Sequence, residues 1–331
     1  VFFWEIYGRD LLWIEVYAGV AFLASLAGWV VLRKLPINLI IFLLTVGVVI
    51  LGGFRPFDYN SDTRNYYSYV YTLSFVNSRE IFFLTKLEPL HSALILLLRD
   101  FRLWLVAEAA IAAFGLLISF RTRRNDYSFL ILCAFVLTLD TSSLRYCSAL
   151  IYFYYFLSRG KVGLFKAARM TLILSCFHVS MLMSGIMAIR RRAALIAISA
   201  ACALIFFESS LLGERINIDL TEASRGLKNF GVAILTVAYL FARAPQKRGM
   251  QYLPLYGLTF VSIFLVSAFI LPTFNRFLIM GALVVLALEW AVLRDGKEDD
   301  IFDRAFVLSL ASAIILPYVI NLPTLFSSGL W

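Results

Sequence analysis

The chain has 331 residues, of which 61% are hydrophobic and only 15% charged, against roughly 25% charged in an average globular domain. Its mean hydropathy is +0.84, and its net charge of +9 comes from 30 Lys and Arg against 21 Asp and Glu. These values exclude a soluble domain carrying a single anchor and predict an all-α, polytopic integral membrane helix bundle; the basic excess then reads as cytoplasmic loop bias rather than affinity for nucleic acid.

In chain order, apolar runs of spanning length fall at about 12–32, 37–54, 103–120, 227–243, 252–271, 274–293 and 303–320. The run 12–32 has no basic stretch before it and no small-residue cleavage site after it, so it reads as part of the bundle rather than a removable signal. Segments 127–139, 145–158 and 193–208 are short for a span, and 163–189 is long for one.

Basic clusters at Arg33/Lys34, Arg121/Arg123/Arg124, Arg159/Lys161, Arg190/Arg191/Arg192, Arg243/Lys247/Arg248 and Arg294/Lys297 can all lie on the cytoplasmic side. This requires 127–139 and 145–158 to form one hairpin and 163–189 a second that breaks near His178. It also requires 88–98 to be a re-entrant or interfacial helix. The expectation is then about twelve membrane segments in one integral membrane domain over 1–331. Both ends are periplasmic, with periplasmic loops at about 55–102 and 209–226. The competing arrangement, one straight span over 170–189, puts His178 at mid-membrane and a basic triplet outside.

Seven scattered arginines (Arg55, Arg64, Arg79, Arg145, Arg215, Arg225, Arg276) fall on the opposite, normally Arg-poor face. Within a membrane segment an arginine costs about 2.5–3.5 kcal/mol on insertion scales unless it is paired or faces a wet cavity. These residues are therefore candidates for holding an anionic substrate.

Four stretches carry candidate chemistry. After the span 37–54 the chain leaves at "GGFRPFDYNSD", where Gly52, Gly53 and Pro56 are expected to break the helix. "NSDTRNYYSYVY", 60–71, then holds Asp62, Arg64 and four tyrosines. A short helix from Asp62 puts Asp62, Tyr66 and Tyr69 on one face. The tyrosines suit an aromatic belt at headgroup depth, and equally a surface that stacks on sugar rings while Asp62 accepts hydroxyl hydrogen bonds. In "KLEPLHSALILLLRDF", 86–101, Glu88 stands at a helix N-cap before Pro89, either satisfying free N–H groups or binding substrate; His91 follows one turn later as an interfacial histidine. In "SSLRYCSALIYFYYF", 142–156, Arg145 opens a short helix, where it can snorkel to headgroups or grip two phosphate oxygens. In "LILSCFHVSMLMSG", 172–185, His178 sits in an apolar context, as a core histidine or as a base. "LPTFNRFLIM", 271–280, repeats the Arg145 arrangement with Arg276. Cys133, Cys147, Cys176 and Cys202 lie in apolar runs without CxxC spacing and read as packing residues. The chain has two histidines, so no metal site is expected. Without a P-loop, GxGxxG, HExxH or GxSxG motif, no cofactor and no nucleotide chemistry are expected either.

"SDTRNYYSYV", "EPL" opening an apolar helix, "LRYCSALIYFYYF…GK", "FHVSML" and a late "NRF" occur in that order over about 50–280. Together they resemble the EpsG-like group of Wzy-type O-antigen and exopolysaccharide polymerases, with Asp62, Tyr66, Glu88, Arg145, His178 and Arg276 at the matching positions. Tyr146 stands where that pattern has Gln, and Ser61 where it has a smaller residue. The resemblance implies a multi-pass enzyme of the bacterial inner membrane with its active site facing the periplasm. It implies transfer of a growing glycan from undecaprenyl diphosphate to the non-reducing end of a lipid-linked repeat unit. Undecaprenyl-diphosphate-linked oligosaccharide is then both donor and acceptor, membrane lipid surrounds the site, and a chain-length regulator is allowed as a partner. On this reading Arg145 and Arg276 hold the diphosphate with Arg55 as a third cation. His178 is the base or a diphosphate donor, Asp62 orients the acceptor sugar, Tyr66 stacks on it and Glu88 binds substrate. The alternatives are a flippase or transporter of the same lipid-linked oligosaccharide, another lipid-linked-sugar glycosyltransferase or O-antigen ligase, and a membrane acyltransferase.

Overall fold

The computed structural model describes residues 37–54, 61–74, 88–121, 144–158, 163–189, 191–211, 234, 236–242 and 252–270. Among them every element is helical and no strand occurs. The expected segments 12–32, 127–139, 274–293 and 303–320 lie outside the described residues, and of 227–243 residues 234 and 236–242 are described. The described chain packs as two compact units, one of residues 37–152 with Cys176–His178 and the other of Phe153–Ser175 with residues 179–270.

In the first unit, α1 (Ile37–Phe54) lies along α4 (Phe101–Arg121). Gly52 and Gly53 do not break α1, which runs through both to Phe54. They allow close approach instead: a Cβ on Gly53 would stand 2.9 Å from Val106 Cγ2. Gly115 does the same on α4 toward α5 (Leu144–Ser158), where a Cβ would meet Ile151 Cγ2 at 2.9 Å. Small residues at such contacts bring backbones within dispersion range. The Phe101–Ser119 stretch of α4 is the one described helix both long and apolar enough to cross a bilayer. Thr45–Phe54, Pro89–Leu98, Arg192–Leu204 and Leu253–Ile263 are shorter apolar helices.

Helix α2 (Ser61–Ser74) begins one residue before the expected start at Asp62 and touches both α4 and α3 (Pro89–Leu98). A two-residue turn joins α3 to α4. Arg99 adopts the left-handed conformation with φ of 50°, and its N–H donates to the Ile95 carbonyl, closing α3. Asp100 then caps α4, its Oδ1 accepting the Leu103 N–H at 2.8 Å. Ten residues rise about 15 Å, half a hydrocarbon core, so α3 is too short to cross. Helix α5 is apolar nearly all round, and Leu144, Tyr146, Ala149, Ile151 and Tyr154 are all buried. Such a helix belongs in an interior; Tyr152 ties it to α4 through a hydrogen bond to the Ile111 carbonyl.

In the second unit lies α6 (Leu164–Phe177) up to Ser175, its last two residues belonging to the first; the helix stops at His178 and is followed by a 3-10 helix, Val179–Ala188. The two arms fold back on each other: Thr171 Oγ1 and Ser184 Oγ share a hydrogen bond of 3.0 Å. In one straight helix those residues would be about 20 Å apart, so the break near His178 is real and the single span over 170–189 is not adopted. That the second arm is 3-10 rather than α was not expected; Tyr256 Oη binds its last turn through the Met187 and Ile189 carbonyls. Helices α7 (Arg192–Leu211) and α8 (Leu253–Ile270) pack side by side through a Ser199–Thr259 hydroxyl contact at 3.1 Å.

The fold-back is testable directly. In a variant free of the four native cysteines, Thr171→Cys with Ser184→Cys should crosslink under mild oxidation, because their side chains already touch. A straight helix would leave the pair unbridged on a gel-shift assay.

Candidate functional site

Four side chains from four separate motifs meet in the first unit. Glu88 is the N-cap residue of α3: its backbone is extended, and its carbonyl accepts the Ser92 N–H at 3.1 Å. Pro89 suits this start because its missing N–H has no partner to lose at the first helical position. The Glu88 side chain makes no cap hydrogen bond. It turns away to Arg145, whose Nη1–H donates to Oε2. The capping role weighed for Glu88 is thus not taken by its side chain, whose carboxylate serves a buried ion pair instead.

Arg145, in the first turn of α5, does not snorkel: it is 8% exposed. Its guanidinium lies 4.8 Å over the centroid of the Tyr66 ring, an arrangement worth about 2 kcal/mol where water is excluded. Its Nε is buried with no hydrogen-bond partner among the described residues. Tyr66 in turn meets Trp104 edge-on at 5.1 Å and is 1% exposed. Its ring face is therefore occupied by Arg145 rather than open to a sugar. Tyr67 and Tyr71, on the outer side of the same helix, are exposed and stack at 6.4 Å.

The second carboxylate oxygen of Glu88 stands 3.9 Å from His178 Nε2, within ion-pair range and beyond hydrogen-bond length. The His178 ring packs edge-on against Tyr146 at 5.1 Å. Tyr146 is thus the aromatic wall behind the imidazole. One carboxylate stands between a guanidinium and an imidazole, so cation, acid and base are held together.

A second buried pair lies beside the first and escaped the sequence reading. His91 Nδ1 and Glu108 Oε1 are in contact, both side chains fully buried. His91 Nε2–H donates to the Phe177 carbonyl at 2.6 Å. A carbonyl only accepts, so Nε2 carries a proton, and a further proton lies between Nδ1 and Glu108. Glu108 Oε2 and Trp104 Nε1 are buried without hydrogen-bond partners among the described residues. The signal for Glu108 was present: it is the sole acidic residue in α4, and an ionisable group inside an apolar run requires a partner. Glu108 also contributes to the negative field at Arg145 together with Glu88.

Of the other candidates, Asp62 falls within α2 one turn before Tyr66, but its side chain is outside the described residues, and Arg55 and Arg276 lie outside them entirely. Among the described residues no group of three His, Cys, Asp or Glu side chains could hold a metal ion.

The ion pair sets a stability expectation. Glu88→Ala should destabilise the protein by about 3–5 kcal/mol, since it leaves the Arg145 charge buried and unpaired. Glu88→Ala combined with Arg145→Met should recover most of that loss in detergent-solubilised unfolding curves; two additive losses would show the pair to be uncoupled. Against known proteins, no family model, no curated protein and no solved structure matches this chain.

Proposed function

We propose that the chain is a polysaccharide polymerase of the Wzy type, a nucleotide-independent glycosyltransferase of the bacterial inner membrane, multi-pass with about twelve membrane segments and its site facing the periplasm. The observation that carries this is the convergence of Tyr66, Glu88, Arg145 and His178 in one buried cluster. They come from four motifs spread over more than a hundred residues, and the buried ion pair by itself accounts for Glu88 and Arg145 but does not require His178 to stand beside them. The membrane setting is supported by exposed apolar surface: Phe42, Val46, Ile50 and Phe54, four residues apart, form an outward stripe on α1, and Leu103, Phe114 and Leu117 do so on α4.

In the proposed reaction a hydroxyl oxygen of the acceptor sugar attacks the anomeric carbon of the donor glycan. The bond from that carbon to the diphosphate oxygen breaks, and its electron pair leaves with undecaprenyl diphosphate. The hydroxyl proton passes to His178. Arg145 stabilises the departing diphosphate, with its Nε–H, unpartnered among the described residues, as the donor in addition to the Nη1 held by Glu88. Preorganised charge in a water-poor site is the larger part of such catalysis. Glu88 faces Nε2 of His178 at ion-pair range, and its negative charge favours a proton on that nitrogen and leaves Nδ1 as the base. Arg276 and Arg55 supply further positive charge to the diphosphate, and Asp62 orients the acceptor. Tyr66 holds Arg145 in place, and the exposed Tyr67–Tyr71 pair offers the stacking surface for sugar rings.

Purified protein given only a lipid-diphosphate oligosaccharide should produce a ladder of longer glycans. A flippase or a ligase would leave single repeat units. Arg145→Lys should lower the rate by about 100-fold, because an ammonium cannot replace the planar grip, and His178→Gln should lower it at least as far. A ladder of normal rate from His178→Gln would remove the base assignment, and one from Arg145→Ala would sink the diphosphate assignment.

A further inference from the structure

We propose that His91 and Glu108 are positioning residues that set where the His178 imidazole stands, an inference that rests on the reading of His178 as the base. Phe177 is the last residue of α6, and the last carbonyls of a helix have no partner within it. The Phe177 carbonyl is instead held by His91 Nε2–H at 2.6 Å. That carbonyl belongs to the peptide plane that also contains the His178 nitrogen and Cα. Because the plane is rigid, fixing its oxygen fixes the direction in which His178 leaves the helix.

Glu108 completes the arrangement. By engaging His91 Nδ1 it prevents the ring from turning, and because a proton is shared across that contact the Nε2 proton stays directed at the carbonyl. The line of contact runs from Glu108 on α4, through His91 on α3, to the peptide that presents His178, with every side chain in it at least nine-tenths buried. His91 and Glu108 are equally far in sequence from the Arg99–Asp100 turn, so the α3–α4 hairpin brings them level. The same short helix carries Glu88 at its start and His91 one turn on. One element therefore sets both the carboxylate that faces His178 and the hydrogen bond that aims it. Neither His91 nor Glu108 need touch substrate.

The test uses the fact that the chain has only two histidines. Replacing both members with apolar residues of similar size, His91→Phe with Glu108→Leu, removes the polar pair without stranding either partner, a change that buried pairs often tolerate. His178 is then the only histidine left in the 331-residue chain, so ¹⁵N-histidine NMR of that chain in detergent reads it alone. The expected result is a folded protein in which the His178 ring nitrogens shift from their wild-type positions, and kcat falls by about 100-fold with KM unchanged. Unchanged His178 ring shifts in the folded double variant would overturn the proposal, as would shifted resonances with an unchanged kcat. A second measurement needs no variant. With ¹³C-carbonyl phenylalanine and ring-¹⁵N histidine in the unaltered protein, the Phe177 carbonyl should show dipolar coupling to His91 Nε2 at hydrogen-bond range, and its absence also overturns the proposal. The NMR readouts require no substrate. A protein that shows both signatures but makes no ladder therefore refutes the polymerase reading while leaving the positioning contact in place.

Discussion

Glu88 and Arg145 form a buried ion pair, and much of the first unit is arranged to keep those two charges together. A guanidinium cannot shed its proton to escape a low-dielectric interior, so an arginine at the first turn of a buried helix must be met by an anion. The effective penalty for an isolated buried ion is several kcal/mol. That requirement brings the start of α3 to the start of α5, with Pro89 defining the turn at which the Glu88 side chain leaves the backbone. Tyr66 covers the other side of the guanidinium, which draws α2 into the same place. Three helices far apart in sequence are thus tied by one cation.

The α3–α4 hairpin supplies a second layer. Its turn is made by a left-handed Arg99 and a capping Asp100, short enough to return α4 directly along α3. Residues equidistant from such a turn lie at the same level, and His91 and Glu108 meet across the hairpin. Their contact is more than structural filler because its far end is the terminal carbonyl of α6, one peptide before His178. Two buried acid–base pairs therefore share a helix, and each ends at or beside the same imidazole.

This geometry divides the tyrosine-rich segment in two. The same helix presents Tyr66 inward to the arginine and Tyr67 and Tyr71 outward. Residues three and four apart on a helix share a face while their immediate neighbours point elsewhere, so a buried and an exposed ring stand at adjacent positions. The Tyr146 ring supplies an aromatic wall to His178.

The sequence alone determined the helical character of the described chain, the bounds of α1 and α8 to within a residue, the short helices at Ser61 and Pro89, and the break at His178. These follow from local chemistry: apolar run length, proline at a first turn, capping side chains and interrupted patterning act within a few residues. The sequence also marked Tyr66, Glu88, Arg145 and His178, because polar groups stand out in an apolar chain. It misassigned Gly52 and Gly53 as helix breakers and left Glu108 and the second use of His91 unread. Only tertiary structure decided those, since a glycine that permits close approach and one that ends a helix look the same along the chain. A buried charge likewise acquires its meaning from a partner 17 or 57 residues away, a separation that local pattern cannot convey.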